Sequence, residues 1–155
     1  MLKAYRDHVA ERAALGIPPL PLSAKQTSEL IELLKNPPAG EEATLVDLIT
    51  HRVPAGVDDA AKVKASYLAA VAHGTEVCSL IGREKATQLL GTMLGGYNLT
   101  PLIDLLDDAA VASVAAEALK KTLLRSNMSS VFLSASAATE ATAASSSRSI
   151  SGVRL

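Results

Sequence analysis

The sequence predicts an all-α protein: a short α-solenoid, which is a right-handed stack of antiparallel helix pairs, followed by a disordered tail rich in Ser and Ala. The 155 residues are 48% hydrophobic but only 3% aromatic. A core must therefore be built from Leu, Val, Ile and Ala, which suits closely packed helices. Amphipathic stretches recur at about the spacing of helical repeats and are joined by turns rich in Pro or Gly. No stretch competes as a β-strand.

The first predicted helix runs from about Leu2 to Leu15 and carries an apolar face. Gly16 closes it, because glycine readily adopts the left-handed conformation that ends many helices. An extended connector follows, since three prolines prevent a helix there: Pro18, Pro19 and Pro21.

The second predicted helix begins at Ser23 and ends before Pro37. Ser23 and Gln26 stand at the spacing of a capping box, in which each residue satisfies a backbone N–H of the other. The third helix opens with the acidic pair Glu41–Glu42, which suits the positive end of a helix, and stops near Pro54.

The fourth predicted helix is capped by Asp58 or Asp59 and ends at Gly74. It is apolar on more than one side, which indicates a helix packed between two neighbours. A fifth helix is predicted from about Arg83 to Leu94, and the pair Gly95–Gly96 ends it.

A helix-turn-helix pattern completes the array. Thr100 is predicted to cap a helix whose first turn accommodates Pro101. Its apolar stripe is Leu102, Ile103, Leu105 and Leu106. The pair Asp107–Asp108 supplies the stop and the next cap, and the final helix has an inner face with helical spacing: Val111, Val114, Ala115, Ala118, Leu119 and Leu123. We expect Leu106 and Leu119 in the seam between these helices.

This last pair resembles the HEAT repeat, whose pattern is Pro, paired Leu, an acidic turn, Val, and then A-A-x-A-L. The matching residues are Pro101, Leu105, Leu106, Asp107, Val111, Ala115, Ala116, Ala118 and Leu119. The repeat often has a basic residue after the Val, and here that position is Ala112. A ladder of Asp and Arg between repeats is therefore not expected.

A more specific resemblance covers residues from about 1 to 124. The segments that carry it include turn residues as well as core residues: Tyr5, Arg6, His8–Arg12, Leu33–Glu42 (LLKNPPAGEE), Leu89–Asn98 (LLGTMLGGYN) and Pro101–Asp108 (PLIDLLDD). In this order they resemble the amino-terminal domain of the bacterial aconitate hydratase B family. The resemblance implies a HEAT-like helical domain set in front of a swivel domain and catalytic domains.

The resemblance also implies a function without catalysis in residues 1–125. The family is a lyase of the tricarboxylic acid cycle that interconverts citrate and isocitrate through cis-aconitate. Its [4Fe–4S] cluster ligands and substrate-binding residues lie in the later domains, so we expect no catalytic, cofactor-binding or metal-binding residue here. The expected role is protein interaction and dimerisation. The alternatives are a free-standing HEAT-like scaffold and an RNA-contacting regulatory fragment.

The predicted interaction face lies on the last helix: Val111, Val114, Leu119, Leu123 and Leu124. An end helix of a solenoid lacks a neighbour on one side, and exposed apolar faces associate. We expect a second copy of the chain or aconitase catalytic domains as the partner. RNA is weakly supported, and no membrane partner is expected.

The net charge and the isolated Cys, His and basic residues indicate few other functional sites. A net charge of -1 gives no broad basic field, and no apolar run is long enough to span a bilayer, so a cytoplasmic location is expected. Cys78 is expected as a buried small hydrophobe, and the histidines in solvated or packing roles: His8, His51 and His73. The basic residues are expected on a solvated charged face: Lys62, Lys64, Arg83, Lys85, Lys120 and Lys121.

Residues 126–155 form the predicted tail. It is rich in Ser and Ala, contains Glu140 as its one acid, and has too little apolar surface for a unique fold. Here the sequence leaves the family's pattern, as a truncated or frame-changed chain would. The segment Val131–Leu133 is its one candidate apolar anchor.

Overall fold

The computed structural model describes residues 1–124, which are helical throughout apart from their connections. The helices are α1 (Leu2–Ala14), α2 (Ala24–Lys35), α3 (Glu42–Asp47), α4 (Asp59–His73), α5 (Arg83–Leu90), α6 (Leu99–Asp104) and α7 (112–124). A π-helical turn, Leu48–Arg52, continues α3, and a 3₁₀ turn, Leu105–Asp107, continues α6. These residues contain no strand, so the all-α prediction is confirmed for the part of the chain that is described.

The predicted start of α2 is confirmed by its hydrogen bonds. The N–H of Gln26 donates to Ser23 Oγ at 3.3 Å, and the N–H of Ser23 donates to Gln26 Oε1 at 2.9 Å. Both bonds satisfy backbone groups that would otherwise lack a partner in the first turn. The boundary is therefore fixed by side chains three residues apart.

Helix α4 lies between two others, as its apolar character predicts. Of the two candidate caps, Asp58 is the residue used: its Oδ1 accepts from the N–H of Ala61 at 3.0 Å. Gly74 ends the helix with a φ of 80°, in the left-handed region. α4 packs against both α2 and α5. Its buried residues occupy more than one face: Ala60, Ala61, Lys64, Ala65, Tyr67, Leu68, Val71 and Ala72.

Helix α5 ends at Leu90, four residues before the predicted end. The chain leaves the helix because the N–H of Leu94 donates to Ala55 O, at 2.7 Å, in the loop before α4. A Cβ on Gly95 would lie 1.9 Å from Gly56 O. Gly95 therefore permits a close backbone contact and is not the helix terminator that the sequence predicts.

The start of α6 and its apolar stripe also differ from the prediction. The helix begins at Leu99, so Thr100 lies inside it and does not cap it. Leu102 and Leu105 are fully buried, whereas Ile103 and Leu106 are 55% and 41% exposed. Residues three apart share one helical face, and only one of the two faces meets the core. The prediction that Leu106 lies in the seam is wrong.

An Asp–Arg ion pair joins the start of α5 to the turn before α7. Arg83 Nη2 donates to Asp108 Oδ2, and Arg83 Nε donates to Ala72 O at 2.8 Å. The guanidinium comes from the first residue of α5 and not from position 112. Arg83 therefore ties the end of α4 to the turn before α7.

Among residues 1–124, no helix combines the length and apolar character needed to cross a bilayer. The predicted tail, including the segment 131–133, lies outside the described residues.

Candidate interaction surface

A cleft of about 570 Å³ lies between α5, α7 and the π-helical turn. Leu89, Gly91 and Ala118 form its buried floor, and Thr50 and Val114 line it in half-buried positions. The exposed rim is polar: Lys85, Gln88, Thr92, Ser113, Glu117 and Lys121. An apolar floor with a polar rim is typical of surfaces that receive another molecule.

The cleft exists because α5 and α7 approach closely at one end. A Cβ on Gly91 would lie 2.6 Å from the Ala118 Cβ. No larger pair of side chains fits this contact, since Cβ atoms do not approach that closely. The Gly91–Ala118 contact therefore fixes the distance between the two walls.

A buried polar cluster holds the same end of the two helices. Asn98 is fully buried, and its Nδ2 donates to Leu90 O at 2.8 Å and to Thr122 Oγ1 at 3.4 Å. Thr122 Oγ1 in turn donates to Ala118 O at 2.9 Å. Buried polar groups need such partners, because desolvation without a hydrogen bond is costly. These bonds set the position of α7 along α5.

The five residues of the predicted interaction face do not share one surface. Val111 is 1% exposed, and Leu119 is half-buried against the core. Val114 lines the cleft. Leu123 and Leu124, in the last described turn of α7, are 58% and 57% exposed. The predicted face stays a prediction for its accessible members, which are Val114, Leu123 and Leu124.

The six predicted basic residues are not gathered into one patch. Lys64 is 1% exposed in the core, and Arg83 is paired with Asp108. Lys85 and Lys121 lie at the cleft together with Glu117. The two remaining lysines are exposed on different helices: Lys62 and Lys120.

Burial shifts the pKa of two polar side chains of α4, Lys64 and Tyr67. Burial lowers the pKa of Lys64 to about 8, because an ammonium loses hydration in the core. Its Nζ donates to Thr50 O at 3.4 Å. Burial, with Cys78 beside the hydroxyl, raises the pKa of Tyr67 well above its usual range. Neither group lines the cleft, so both belong to the core.

The residues present do not fit an iron–sulfur cluster. Such clusters are held by several thiolates, and the chain has one cysteine. Cys78 is buried, as predicted, and its thiol donates to Leu34 O at 3.5 Å. Among the described residues, no three His, Cys, Asp or Glu side chains are grouped so that they could hold a metal ion.

The polar rim of the cleft includes Lys85 and Lys121, which were predicted to lie on a solvated charged face, but its grouping into a cleft was not predicted. Lys85 and Gln88 are three residues apart on α5, and Ser113 and Glu117 are four apart on α7. Both spacings place side chains on one helical face. The spacing was visible in the sequence, but not the fact that the two faces lie opposite each other.

Comparison with known proteins gives one consistent family. The pattern of the aconitate B N-terminal domain matches residues 4–147. Aconitate hydratase B of Escherichia coli (strain K12) is 64% identical over 124 residues, which are 80% of this chain and 14% of that protein. The Pseudomonas aeruginosa protein of the same name is 61% identical, again over 80% of the chain and 14% of the relative. That of Helicobacter pylori (strain J99) is 48% identical over 125 residues, 79% of the chain and 15% of the relative. The chain thus spans about one seventh of the length of these relatives.

Proposed function

The chain belongs to the aconitate B N-terminal domain family, and from that premise we propose that it is a non-catalytic interaction domain of an aconitate hydratase B-type enzyme. In this proposal its helices form a HEAT-like stack in the cytoplasm, and α7 provides the surface for association. The reaction, citrate to isocitrate through cis-aconitate, and the [4Fe–4S] cluster belong to other parts of such an enzyme.

The observation that carries the proposal is the exposure of the last turn of α7. Leu123 and Leu124 are both more than half exposed, although the same helix buries Ala115 and Ala118 in the core. Adjacent exposed leucines at the end of a packed helix favour association, since each removes apolar area from water on binding. We name Leu123 and Leu124 the α7 surface.

The most direct partner is a second copy of the chain. A two-fold dimer would bring the same α7 surface from each copy together, which is the commonest symmetry of homo-oligomers. The alternative partner is a full-length aconitase B enzyme. A free-standing scaffold would use neither contact, and an RNA-binding module would lose affinity as salt increases.

Analytical ultracentrifugation at micromolar concentration tests the proposal. We expect the chain to sediment as a dimer, or to co-sediment with full-length Escherichia coli aconitate hydratase B. Leu123→Glu should weaken either association at least about tenfold, because a charge placed in an apolar contact lacks a partner.

Leu20→Glu is the matched control. Leu20 is 53% exposed, close to the 58% of Leu123, but it lies in the connector before α2. This variant should associate like the unmodified chain. A monomer that also ignores the full-length enzyme would contradict the proposal, and so would equal effects of the two variants.

A further inference from the structure

The amino-terminal helix is attached to the rest of the chain by apolar packing and by polar contacts. α1 contributes one buried side chain, Tyr5, and its half-buried Leu2 and Val9 also pack against the core. The Tyr5 hydroxyl accepts from Arg52 Nε at 2.6 Å, and Arg6 Nη2 donates to Glu41 Oε2 at 2.5 Å. Residues 15–22, which we name the strap, connect α1 to α2 and contain no ionisable side chain.

The strap is held by its backbone. Arg12 Nε donates to Pro18 O at 3.0 Å, and Arg52 Nη2 donates to Pro19 O at 2.8 Å. The third contact differs in kind: the N–H of Leu20 donates to Nε2 of His8 at 3.1 Å. In the first two contacts the side chain is the donor, and in the third it is the acceptor.

Only a neutral imidazole can make the third bond. His8 Nε2 must offer a lone pair to the N–H of Leu20, so the ring hydrogen must lie on Nδ1. A protonated ring carries hydrogen on both nitrogens and accepts nothing. Two N–H groups would then face each other, and the bond would be replaced by a repulsive contact.

We propose that His8 is a pH-sensitive latch that closes the strap against α1 when the imidazole is neutral and releases it when the imidazole is protonated. The titratable and charged groups around His8 are Tyr5, whose ring centroid lies 6.5 Å from that of His8, and Asp7, Glu11 and Arg12 on the same helix. On the π-helical turn, Arg52 binds the neighbouring Pro19 O. The strap itself adds no charge.

Release would loosen an exposed apolar segment and not the core. Leu15, Ile17 and Leu20 of the strap are 71%, 40% and 53% exposed, whereas Leu22 at its end is 1% exposed. Leu22 stays fixed because its N–H donates to Arg52 O at 2.9 Å. Pro18 O and Pro19 O keep their bonds to Arg12 and Arg52, so the latch governs the mobility of the strap around Leu20 without unfolding α2.

Amide hydrogen exchange of the whole chain at pH 8 and pH 5 tests the latch. The readout is the protection factor of the Leu20 amide, which corrects for the effect of pH on intrinsic exchange. We expect it to fall roughly three- to tenfold at pH 5, the factor expected from losing one hydrogen bond. Imidazole ¹⁵N shifts at pH 8 should show the His8 hydrogen on Nδ1.

Three variants separate the latch from general acid loosening. His8→Gln keeps an acceptor that does not titrate, so Leu20 should be protected equally at both pH values. His8→Phe keeps a ring without an acceptor and should leave Leu20 weakly protected at both. His73→Gln replaces an exposed histidine at the end of α4 and should behave like the unmodified chain.

The outcomes that would overturn the latch are equally specific. They are an unchanged protection factor in the unmodified chain, an Nε2 hydrogen on His8 at pH 8, or a pH-dependent loss that persists in His8→Gln. The last two remain decisive even if His8→Phe fails to fold.

Discussion

One carboxylate oxygen of Asp108 binds the Arg83 side chain, and the other accepts a hydrogen bond from the backbone of the turn before α7. Oδ2 accepts from Arg83 Nη2, and Oδ1 accepts from the N–H of Ala110 at 3.0 Å. Because Arg83 also donates to Ala72 O, these contacts link the end of α4, the start of α5 and the turn that leads into α7. The ion pair therefore helps to fix how the chain enters α7, the helix that carries the proposed surface.

Asp108 should stabilise the fold at neutral pH and lose this effect in acid. The hydrogen bond from Arg83 and that from Ala110 hold the pKa of Asp108 below its usual range. A carboxyl with a lowered folded-state pKa stabilises the fold above its unfolded pKa, near 3.9, and this contribution disappears as pH falls through the folded value. We expect Asp108→Asn to lower the Tm at pH 7, with the difference shrinking below about pH 4. Asp104→Asn, an exposed carboxyl of α6, is the control; an equal effect of both would contradict the assignment.

Lys64 should destabilise the fold at neutral pH. Its pKa is lowered by burial from 10.5 to about 8. At a pH between these two values, the folded chain therefore binds fewer protons than the unfolded chain. Stability should therefore rise as pH increases from about 8 to 10, since the buried group loses its charge. Lys64→Met should raise the free energy of unfolding at pH 7 by about 1–3 kcal/mol and abolish the rise.

Lys62→Met is the matched control for Lys64→Met, because Lys62 is exposed on the same helix. Its free energy of unfolding should change by less than about 0.5 kcal/mol. Urea denaturation at pH 7 and pH 9.5 measures both variants. A large loss of stability in Lys64→Met would show that the bond to Thr50 O outweighs the cost of burying the charge.

Two glycines at one contact should respond differently to alanine. A Cβ on Gly95 would lie 1.9 Å from Gly56 O, whereas a Cβ on Gly56 would meet only Asp58 Oδ2 at 3.6 Å. Gly95→Ala should cost about 2–3 kcal/mol, because the backbones must separate. Gly56→Ala should stay within about 1 kcal/mol of the unmodified chain. Thermal unfolding followed by circular dichroism distinguishes them, and equal losses would place the contact elsewhere.

The two adjacent leucines after α6 should also differ. Leu105 is fully buried and Leu106 is 41% exposed. Leu105→Ala should cost about 2–5 kcal/mol, since it removes buried methyl groups and leaves a cavity. Leu106→Ala should cost less than about 1 kcal/mol. The reverse order in urea denaturation would mean that the opposite face of α6 meets the core.

The candidate surface could be predicted only in part from the sequence. The final helix and its apolar residues were identified, but the proposed face combined residues with different surroundings: Val111 in the core, Val114 at the cleft and Leu123 in the exposed last turn. Helical spacing groups these residues, because it counts positions along one helix. Burial depends on where the neighbouring helix α5 lies, and no spacing rule contains that information.

The sequence by itself determined the features that arise from residues close together in the chain. The all-α class, the capping box of Ser23 and Gln26, an aspartate cap at position 58 or 59 and the end of α4 at Gly74 follow from interactions within about four residues, which form wherever the segment lies. The tertiary structure alone decided where α5 ends, why Gly95 is a glycine, and that Arg83 pairs with Asp108. Each of these depends on a contact between segments at least 25 residues apart, and such contacts are set by the packing of whole helices.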